Sequence, residues 1–504
     1  MKQNRKKIKP VFAIILAVVM MVGVVTFFAA CWYIRVFGDV GFTAILSTLT
    51  AGIGGTGSDL INSFMLEAFV PAIILTIVLA LFLFSSPRQW LVAHIGEKIK
   101  FRLYPFPRAL SVILSLALSV IFVFFSAVKV GFFEYIDAIS NPSTIFEDYY
   151  INPTQVEIEF PEKKQNLIYI FLESMETSFL PQDLGGGNTV NPIPELYNLA
   201  EKNVNFSQNG GVGGLYSLAS SAWTVSAMVT QTSGAPLKSP MGASPNEYGQ
   251  DTFLPGMTTL SDILNKEGYY QALMVGSDAS FGSRKQYYEQ HGVDKIYDLY
   301  TAQEDGVVPE DYFVWWGIED SKLFGWARQE LLKISKQDKP FAFTLLTVDT
   351  HHVDGYKCEL CPNDYDEQYE NVLACSSKQV SKFIEWVQKQ DFYKDTAIVI
   401  CGDHPTMDAR YVLDNISSEY RRTLYNSFIN SKATPIEAKN RIATSVDMMP
   451  TTLASIGCKI EGDRLGLGTN LFSNKETMGE RIGLDEFNNE LLRYSAYYNN
   501  NFIK

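Results

Sequence analysis

The first 131 residues contain three long and nearly uninterrupted apolar stretches. They cover residues 11–34, 68–84 and 109–128, and each reaches or approaches the roughly 20 residues that a helix needs to cross a bilayer core. The first is longer than the apolar region of a typical signal peptide, and no small-residue cleavage site follows it. The pattern therefore predicts a membrane domain with three transmembrane helices over residues 1–131.

Basic side chains are distributed unevenly around these stretches. Five precede the first stretch, five lie between the second and the third, and only Arg35 lies between the first and the second. The ten are Lys2, Arg5, Lys6, Lys7, Lys9, Arg88, Lys98, Lys100, Arg102 and Arg108. Because loops rich in Lys and Arg stay in the cytoplasm, we expect a plasma (inner) membrane protein with a cytoplasmic amino terminus. The chain after Gly131 is then extracytoplasmic, in the periplasm or at the cell surface.

Beyond residue 165 the pattern changes to short apolar runs separated by amphipathic stretches. The predicted strands cover residues 166–172, 270–275, 341–348 and 396–400, and helical patterns include residues 259–266 and 378–388. Short continuous apolar strands that alternate with amphipathic helices are typical of a parallel sheet covered on both faces. The sequence therefore predicts an α/β fold with a central, largely parallel sheet flanked by helices.

Composition and the positions of prolines suggest how the rest of the chain is divided into domains. Residues 132–164 are polar and interrupted by prolines, which predicts a linker, followed by a catalytic domain over 165–475 and a carboxy-terminal tail over 476–504. From residue 132 onward there are 30 Lys and Arg against 51 Asp and Glu, a net charge of −21. Nucleic acid is therefore not expected as a partner, since its binding depends on neutralising phosphates.

Polar residues follow each predicted strand, at the edge of the sheet where ligands of such folds bind. Glu173 follows the first strand, residues 349–352 follow the third, and Asp403 and His404 follow the fourth. Two carboxylates and one imidazole suit Mn²⁺, Mg²⁺ or Zn²⁺ and leave a fourth position for a nucleophile or substrate. The alternative for Asp403 and His404 is a solvated turn with a capping aspartate.

A Ser/Thr-rich stretch supplies a candidate nucleophile. Ser220 or Ser221 is the expected N-cap of a helix that continues to Gln231 and stops at Gly234, which places Thr224 in or near the first turn. Helix N-termini favour anionic groups, and metal coordination activates a threonine hydroxyl by lowering its pKa. The alternative is an ordinary β-branched residue packed inside a helix.

Three further side chains are candidates for substrate binding. Arg284 follows a Gly/Ser-rich turn, from which its guanidinium can reach a phosphate at the sheet edge. His351 and His352 can hold a substrate oxygen or donate a proton to a leaving alkoxide. The alternatives are a surface charge for Arg284 and a structural hydrogen bond for one of the two histidines.

Cysteines occur as a local group in the second part of the chain. Cys358 or Cys361 can bridge Cys375, as an oxidising compartment would permit, and free thiols are the alternative. A zinc ribbon needs four soft ligands, whereas this group offers three without a nearby histidine. We expect a local disulfide.

The order of several short motifs resembles that of the alkaline-phosphatase/sulfatase superfamily. They are Glu173-Ser174, Trp223-Thr224, Met228-Val229, Gly234-Ala235-Pro236-Leu237, Asp349-Thr350-His351-His352, Asp354-Gly355, Asp403-His404 and Leu465-Gly466-Leu467-Gly468. Within it, the chain is most similar to the phosphoglycerol transferases, which include phosphoglycerol transferase I of the periplasmic glucan pathway and lipoteichoic acid synthase. The likeness covers residues 166–472 and the preceding membrane helices.

This resemblance implies a reaction and a set of site residues. By it, Thr224 is the nucleophile that takes glycerol phosphate from phosphatidylglycerol, releases diacylglycerol and passes the group to a cell-surface glycan or polymer. The resemblance makes Thr224 a ligand, with three other side chains, of one divalent metal, most often Mn²⁺. The three are Glu173, Asp403 and His404. Arg284 and His351 match residues that hold the glycerol phosphate, and Phe281 matches an aromatic substrate contact.

Some features depart from the family pattern, and two alternative functions remain. Three predicted spans stand where the lipoteichoic acid synthases have five, and Val353 replaces a proline after the two histidines. The alternatives are a phosphoethanolamine transferase or a hydrolase of the same superfamily, and a catalytically silent membrane scaffold. The C/S-x-P-x-R motif of sulfatases is missing at Cys361-Pro362. The sequence leaves the acceptor and the oligomeric state open.

Overall fold

A computed structural model describes residues 10–37, 42, 45–46, 58–84, 92–95, 99–102, 108–238 and 252–503 of the chain. The chain separates into two compact units, residues 1–136 and residues 137–504. The amino-terminal basic residues, part of the basic segment after the second span, and residues 239–251 lie outside the described residues.

The first unit consists mainly of apolar helices. They are α1 (Pro10–Phe37), α2 (Ser58–Phe64), α3 (Val70–Phe84) and α4 (Arg108–Lys129), and strands β1 (Val92–Ile95) and β2 (Ile99–Arg102) form an antiparallel pair. Three helical segments are long and apolar enough to cross a membrane, namely Val11–Phe37, Ile61–Phe84 and Ala109–Lys129. This agrees with the three helices predicted from the apolar stretches.

The second membrane helix begins earlier than its predicted start at residue 68. A π-helical turn, Met65–Phe69, joins α2 to α3, so the helix extends through Ser63 and Glu67. These polar groups interrupt the apolar pattern, which is why the span predicted from the sequence was too short. Trp32 Nε1 donates to Ser63 Oγ at 3.0 Å, and Arg35 forms an ion pair with Glu67.

A seven-stranded mixed sheet forms the centre of the second unit. The strands of this unit are β3 (Ile158–Glu159), β4 (Asn166–Leu172), β5 (Gly214–Tyr216), β6 (Tyr270–Val275), β7 (Lys295–Tyr297), β8 (Phe341–Leu346), β9 (Thr396–Gly402), β10 (Thr423–Ile429), β11 (Lys459–Ile460), β12 (Arg464–Leu465) and β13 (Gly468–Thr469). The order in the sheet is β5-β10-β9-β4-β8-β6-β7. The five strands from β9 to β7 are parallel, and β10 is antiparallel to both of its neighbours. The predicted, largely parallel α/β sheet is confirmed.

Helices cover both faces of this sheet. The remaining α-helices are α5 (Phe132–Ser140), α6 (Ile145–Tyr149), α7 (Pro194–Lys202), α8 (Thr224–Ser233), α9 (Leu260–Lys266), α10 (Arg284–Gln290), α11 (Leu299–Glu304), α12 (Asp320–Ile334), α13 (Gln368–Val387), α14 (Ala409–Asn415), α15 (Met448–Ser455), α16 (Met478–Ile482), α17 (Leu484–Leu492) and α18 (Ala496–Tyr498). The central strand β4 shows why both faces need cover, because its alternate side chains enter different cores. Tyr169 and Phe171 belong to one core, and Ile168 and Ile170 belong to the other.

The predicted linker and tail both contribute to the second unit. In the linker, Phe146 is buried in the core, and β3 pairs with β11. In the tail, Tyr498 lies edge-on to Phe146, with ring centroids 5.4 Å apart. The domain boundaries at residues 131, 164 and 475 stay predictions, but the sequences on both sides of 165–475 supply part of its core.

Candidate active site

The carboxyl ends of β4 and β9 bring three polar side chains together. The two strands are parallel neighbours, and Leu172 at the end of β4 is paired with Gly402 at the end of β9. Glu173 follows the first, and Asp403 and His404 follow the second. One ligand atom from each of these three buried side chains lies within 4.8 Å of the others. We call Glu173, Asp403 and His404 the carboxylate–histidine cluster.

Thr224 lies against this cluster. Its Oγ1 is 3.2 Å from Glu173 Oε2 and 3.3 Å from His404 Nε2. The same His404 Nε2 is 3.4 Å from Glu173 Oε1 and 3.5 Å from Asp403 Oδ2. The structure thus brings together all four side chains that the sequence proposed as metal ligands, although up to 230 residues separate them.

The helix that carries Thr224 begins later than its predicted N-cap. Ser220 and Ser221 belong to a separate 3-10 turn, and Trp223 is the N-cap residue of α8. Thr224 is therefore the first residue of the helix, where backbone N–H groups lack acceptors within the helix and the dipole favours negative charge. The predicted stop is confirmed, because Gly234 ends α8 in the left-handed conformation.

Hydrogen bonds orient the ligand atoms of the cluster. Asp403 Oδ1 accepts from the backbone N–H groups of Ser174 at 2.8 Å and His404 at 2.7 Å. The other oxygen, Oδ2, is buried and accepts no hydrogen bond from any described residue. His404 Nδ1 donates to the Pro405 carbonyl at 2.9 Å, which leaves Nε2 to face Thr224 and the carboxylates.

The charges in the cluster shift one another's protonation. Burial raises the pKa of Asp403 to about 8, and the Glu173 carboxylate adds to this rise. Burial opposes the charged form of His404, but Asp403 and Glu173 raise its pKa to about 9. Despite burial, His404 holds the pKa of Glu173 well below its usual range. Without a cation the cluster retains protons at neutral pH, and a divalent ion would displace them on binding.

A divalent cation fits these donors. Ligand oxygens and nitrogens about 2.0–2.1 Å from a tetrahedral ion lie about 3.3 Å from one another. The four separations given above, which involve both oxygens of Glu173, are 3.2–3.5 Å and agree with that value. A buried carboxylate oxygen without a hydrogen bond is costly, and a cation would satisfy Asp403 Oδ2.

Arg284 lies within electrostatic reach of the cluster. It is the first residue of α10 and is buried, and its Nη2 donates to Ser277 Oγ at 2.8 Å and to the Asp278 carbonyl at 2.7 Å. Its Nε is buried and has no hydrogen-bond partner among the described residues. Burial lowers the pKa of Arg284, and the Glu173 carboxylate opposes this shift. A buried guanidinium with an unused N–H is suited to bind an anionic group.

The loop before Arg284 packs closely on the start of α8. Gly282 has a φ of +61°, and a Cβ at this position would lie 2.7 Å from Val225 Cγ2 and 3.1 Å from the Trp223 ring. A larger residue would therefore push the loop away from Thr224. Glycine at this position allows the Arg284 loop and the proposed nucleophile to share one side of the site.

The two histidines after β8 form a stacked pair. The ring centroids of His351 and His352 are 4.4 Å apart at an interplanar angle of 22°. His351 Nδ1 donates to the His352 carbonyl at 2.8 Å, so its Nε2 remains to accept a proton. Burial lowers the pKa of His351, although the Glu173 carboxylate opposes this, and burial lowers the pKa of His352 further. Both imidazoles are therefore neutral at pH 7.

An aromatic contact beside His351 was not predicted from the sequence. The Trp316 ring lies 4.6 Å from the His351 ring, and the ring of the half-exposed Phe281 lies 6.0 Å from the Trp316 ring. Trp316 lies in a tight turn in which Val314 and Gly317 exchange backbone hydrogen bonds. The only sequence signal was a Trp-Trp-Gly run, which does not indicate where the turn lies.

Ser174 was also missed as a site residue. Its N–H binds Asp403, and its Oγ donates to Glu173 Oε1 at 2.8 Å. Its φ of +53° turns the chain sharply after Glu173. The signal available in the sequence was its position directly after a strand-end carboxylate.

The cysteine group differs from its prediction. The sulfur atoms of Cys358, Cys361 and Cys375 lie together, but all six cysteines of the chain are free thiols in the structure. The expected local disulfide is therefore not formed.

Comparison with known proteins places this site in a family. Residues 165–457, more than half of the chain, match the family model described as Sulfatase. Phosphoglycerol transferase I of Xanthomonas campestris pv. campestris is 27% identical over 322 residues, which cover 62% of this chain and 43% of that protein. Phosphoglycerol transferase I of Salmonella choleraesuis is 29% identical over 272 residues, 52% of this chain and 33% of that protein. The chain thus spans less than half the length of these relatives.

A solved structure shows the same fold. A protein of the alkaline phosphatase superfamily from Vibrio parahaemolyticus superposes with a TM-score of 0.51 at 23% identity, over 66% of this chain and 76% of that one. The match of the family model includes β4, α8, β8 and β9, which carry the residues described above. The chain belongs to the sulfatase family.

Proposed function

We propose that this protein transfers glycerol phosphate from phosphatidylglycerol to a hydroxyl group of a cell-surface glycan or polymer. The transfer passes through a covalent intermediate on Thr224. The observation that carries the proposal is the position of Thr224 Oγ1, 3.2 Å from Glu173 and 3.3 Å from His404. The similarity to proteins named phosphoglycerol transferase I supports the choice of the transferred group.

A bound divalent cation would supply the activation that a threonine hydroxyl lacks at neutral pH, because coordination lowers the pKa of the hydroxyl and neutralises phosphate charge. We propose Mn²⁺ as this ion, with Mg²⁺ or Zn²⁺ as alternatives. Glu173, Asp403, His404 and Thr224 would hold it.

In the first step, Thr224 Oγ1 attacks the phosphorus of phosphatidylglycerol. The new Oγ1–P bond forms as the bond from phosphorus to the diacylglycerol oxygen breaks. The hydroxyl proton leaves Thr224, and the departing diacylglycerol oxygen takes up one proton, so the step releases none. Arg284 holds a phosphate oxygen through its unused Nε–H, and the N-terminus of α8 faces the same charge.

In the second step, a hydroxyl of the acceptor attacks phosphorus from the opposite side. The Oγ1–P bond breaks, Thr224 regains a proton, and glycerol phosphate remains on the acceptor. His351 Nε2 is the proposed proton carrier, since burial keeps its imidazole neutral and its other nitrogen is already engaged. Two displacements on one phosphorus predict ping-pong kinetics.

The apolar helices fit a lipid donor. With three helices long enough to span a bilayer, the protein stays at the membrane that contains phosphatidylglycerol. From the basic residues that flank these helices, we propose a cytoplasmic amino terminus and an extracytoplasmic catalytic unit. An acceptor at the cell surface or in the periplasm is then on the same side as the site.

Release of diacylglycerol tests the proposal. Full-length protein in detergent is incubated with phosphatidylglycerol that carries a fluorescent acyl chain, with and without Mn²⁺. We expect labelled diacylglycerol only with the ion, and a glycerophosphoryl adduct on the peptide that contains Thr224 by mass spectrometry. Thr224→Ala should lower the rate by at least about 10³-fold, as loss of a covalent nucleophile does in other enzymes.

A matched control lies on the same helix. Thr230 Oγ1 donates to the Ser226 carbonyl inside α8, so Thr230→Ala removes a buried threonine hydroxyl without touching the site. A normal rate of diacylglycerol release by the Thr224→Ala protein would refute the covalent mechanism. Consumption of a phosphatidylethanolamine analogue in place of phosphatidylglycerol would refute the donor.

A further inference from the structure

Three thiols form a second group of ligand atoms, separate from the carboxylate–histidine cluster. Cys358 Sγ is 3.6 Å from Cys375 Sγ and 3.6 Å from Cys361 Sγ, and all three sulfurs lie within 4.8 Å of one another. Cys358 and Cys361 belong to one turn, in which the Cys361 N–H donates to the Cys358 carbonyl at 3.1 Å, and Cys375 lies on α13. We call Cys358, Cys361 and Cys375 the thiol cluster.

We propose that the thiol cluster binds a soft metal ion, with Zn²⁺ as the expected ion, through three cysteine sulfurs. A tetrahedral ion with Zn–S bonds of about 2.3 Å places its sulfurs about 3.8 Å apart. Both short separations in the cluster are within a few tenths of an ångström of this value. A disulfide would use two of the sulfurs and leave the third in contact with it, open to thiol–disulfide exchange. A metal ion uses all three.

The side-chain amide of Gln379 is directed at two of these sulfurs, as N–H donors commonly are at metal-bound thiolates. Gln379 Nε2 donates to Cys358 Sγ at 3.9 Å. Gln379 Nε2 donates to Cys375 Sγ at 3.4 Å. Such donors spread the negative charge that three thiolates bring and orient them toward one ion.

The fourth coordination position is open. Among the described residues, no other cysteine, histidine or carboxylate joins the three sulfurs. Cys358 and Cys375 are buried, but Cys361 is partly exposed, so a water molecule can reach the remaining position. Soft sulfur ligands select Zn²⁺ or Cu⁺ over Mn²⁺ and Mg²⁺, so this ion differs from the one proposed for catalysis.

The position of the cluster suggests what the ion does. Residues 353–367 connect the two stacked histidines to α13, and the cluster joins this segment to the helix at Cys375. An ion there would restrain the segment that follows His351 and His352 without touching substrate. The proposal does not depend on the reaction proposed above.

Metal content and spectroscopy of the full-length protein test the proposal. Protein purified in detergent with reductant is analysed for zinc, and the metal is then replaced by Co²⁺. We use an Asp403→Asn background, which disables the carboxylate–histidine cluster. We expect one ion per chain and a sulfur-to-cobalt charge-transfer absorption. Both should disappear in Cys358→Ser and Cys375→Ser and persist in Cys458→Ala, which removes a buried thiol outside the cluster.

Two results would overturn the proposal. One is a disulfide between any two of the three cysteines in protein taken directly from membranes, found by mass spectrometry after alkylation of free thiols. The other is a fully reduced protein that binds Co²⁺ without the sulfur absorption. Because loss of a buried cysteine can unfold the chain, Cys361→Ser at the partly exposed turn provides the second test. It should lose the absorption while keeping a cooperative melting transition.

Discussion

The two groups of candidate metal ligands contrast in both chemistry and origin. The carboxylate–histidine cluster offers oxygen and nitrogen atoms, is fully buried, and joins residues up to 231 positions apart through neighbouring strand ends. The thiol cluster offers sulfur atoms, is partly exposed, and comes from one turn and the adjacent helix within 18 residues of sequence. The first therefore exists only when the sheet is formed, whereas the second needs a loop and one helix.

This difference in ligand atoms would allow the two proposed sites to select different metal ions. Hard oxygen ligands suit Mn²⁺ and Mg²⁺, and soft thiolates suit Zn²⁺ and Cu⁺. The proposed nucleophile lies beside the first cluster, since Thr224 Oγ1 contacts both Glu173 and His404. We expect catalysis to depend on the first cluster and local stability to depend on the second.

Among the variants that compare the two clusters, the largest effect is expected from removing a carboxylate of the first cluster. Asp403→Asn removes the charge of the buried oxygen that has no hydrogen bond. Mutation of a residue that only hydrogen-bonds to a metal ligand typically lowers metal affinity or activity by about 10–100-fold. Loss of a direct ligand should therefore lower the rate of diacylglycerol release by more than about 100-fold. The rate is measured at several Mn²⁺ concentrations.

Two controls sharpen this result. Asp183→Asn, at an exposed position, should release diacylglycerol normally. Cys361→Ser should keep the same dependence on Mn²⁺ concentration. An Asp403→Asn protein with normal Mn²⁺ dependence would show that the carboxylate–histidine cluster does not hold the catalytic ion.

Arg284→Lys should have the next largest effect. Lysine keeps the charge but loses the Nε–H that has no partner in the structure. A hydrogen bond to a charged group is worth about 1.5–3 kcal/mol, which corresponds to about 10–100-fold in kcat/KM for the phospholipid. The matched control is Lys285→Ala, which removes the exposed basic residue next to it. Equal losses in both variants would indicate a general charge effect and not a specific contact with phosphate.

Trp316→Ala should have a smaller effect on the same reaction. The variant removes the ring that packs 4.6 Å from His351. An aromatic contact of this kind is worth about 0.5–1.5 kcal/mol, so we expect about a 2–10-fold lower kcat and rescue by Trp316→Phe. The pH dependence of kcat distinguishes the roles, because a freed His351 should titrate at a different pH. An unchanged pH profile with a raised KM would place Trp316 in substrate binding instead.

The smallest expected effect concerns Asp320 and Asp349, two buried carboxyl groups whose pKa values depend on charges in or near the two clusters. Asp320 is fully buried, and its pKa is raised to about 7 by burial, with Cys358 and Glu173 contributing. Burial and the charge of Asp320 also raise the pKa of Asp349, whose Oδ1 accepts the Asp320 N–H at 3.1 Å. The folded protein therefore holds a proton that the unfolded chain releases near pH 4.

A raised carboxyl pKa gives a definite sign to the pH dependence. Protonated Asp320 contributes its full stabilisation of the folded state below about pH 4. This contribution is lost as the pH rises through about 7, because ionisation of the buried carboxyl group in the folded state is unfavourable. We expect the melting temperature to fall between about pH 5 and about pH 8 more in the unmutated protein than in Asp320→Asn. Parallel curves for the two proteins would show that Asp320 is already ionised in the fold.

The regular elements of this protein were predictable wherever a local pattern determines them. The strands at 166–172 and 270–275 were predicted with the bounds that the structure shows, and the strand from residue 396 is two residues longer. Hydropathy identified three membrane helices, but Ser63 and Glu67 hid the start of the second. The helix start near Thr224 was misplaced because Ser220 and Ser221 lie in a separate 3-10 turn, in which Ser221 Oγ donates to the Leu218 carbonyl.

By itself the sequence determined the fold class and the candidate ligands, because apolar periodicity and strand-end polar residues are local properties of the chain. It identified Glu173, Thr224, Asp403 and His404 as residue types suited to one metal, and the family resemblance assigned their roles. Only the tertiary structure decided the distances among them, because the pairing of β4 with β9 and the approach of α8 are non-local. For the same reason it alone placed Trp316 on His351 and left three cysteines as neighbouring thiols.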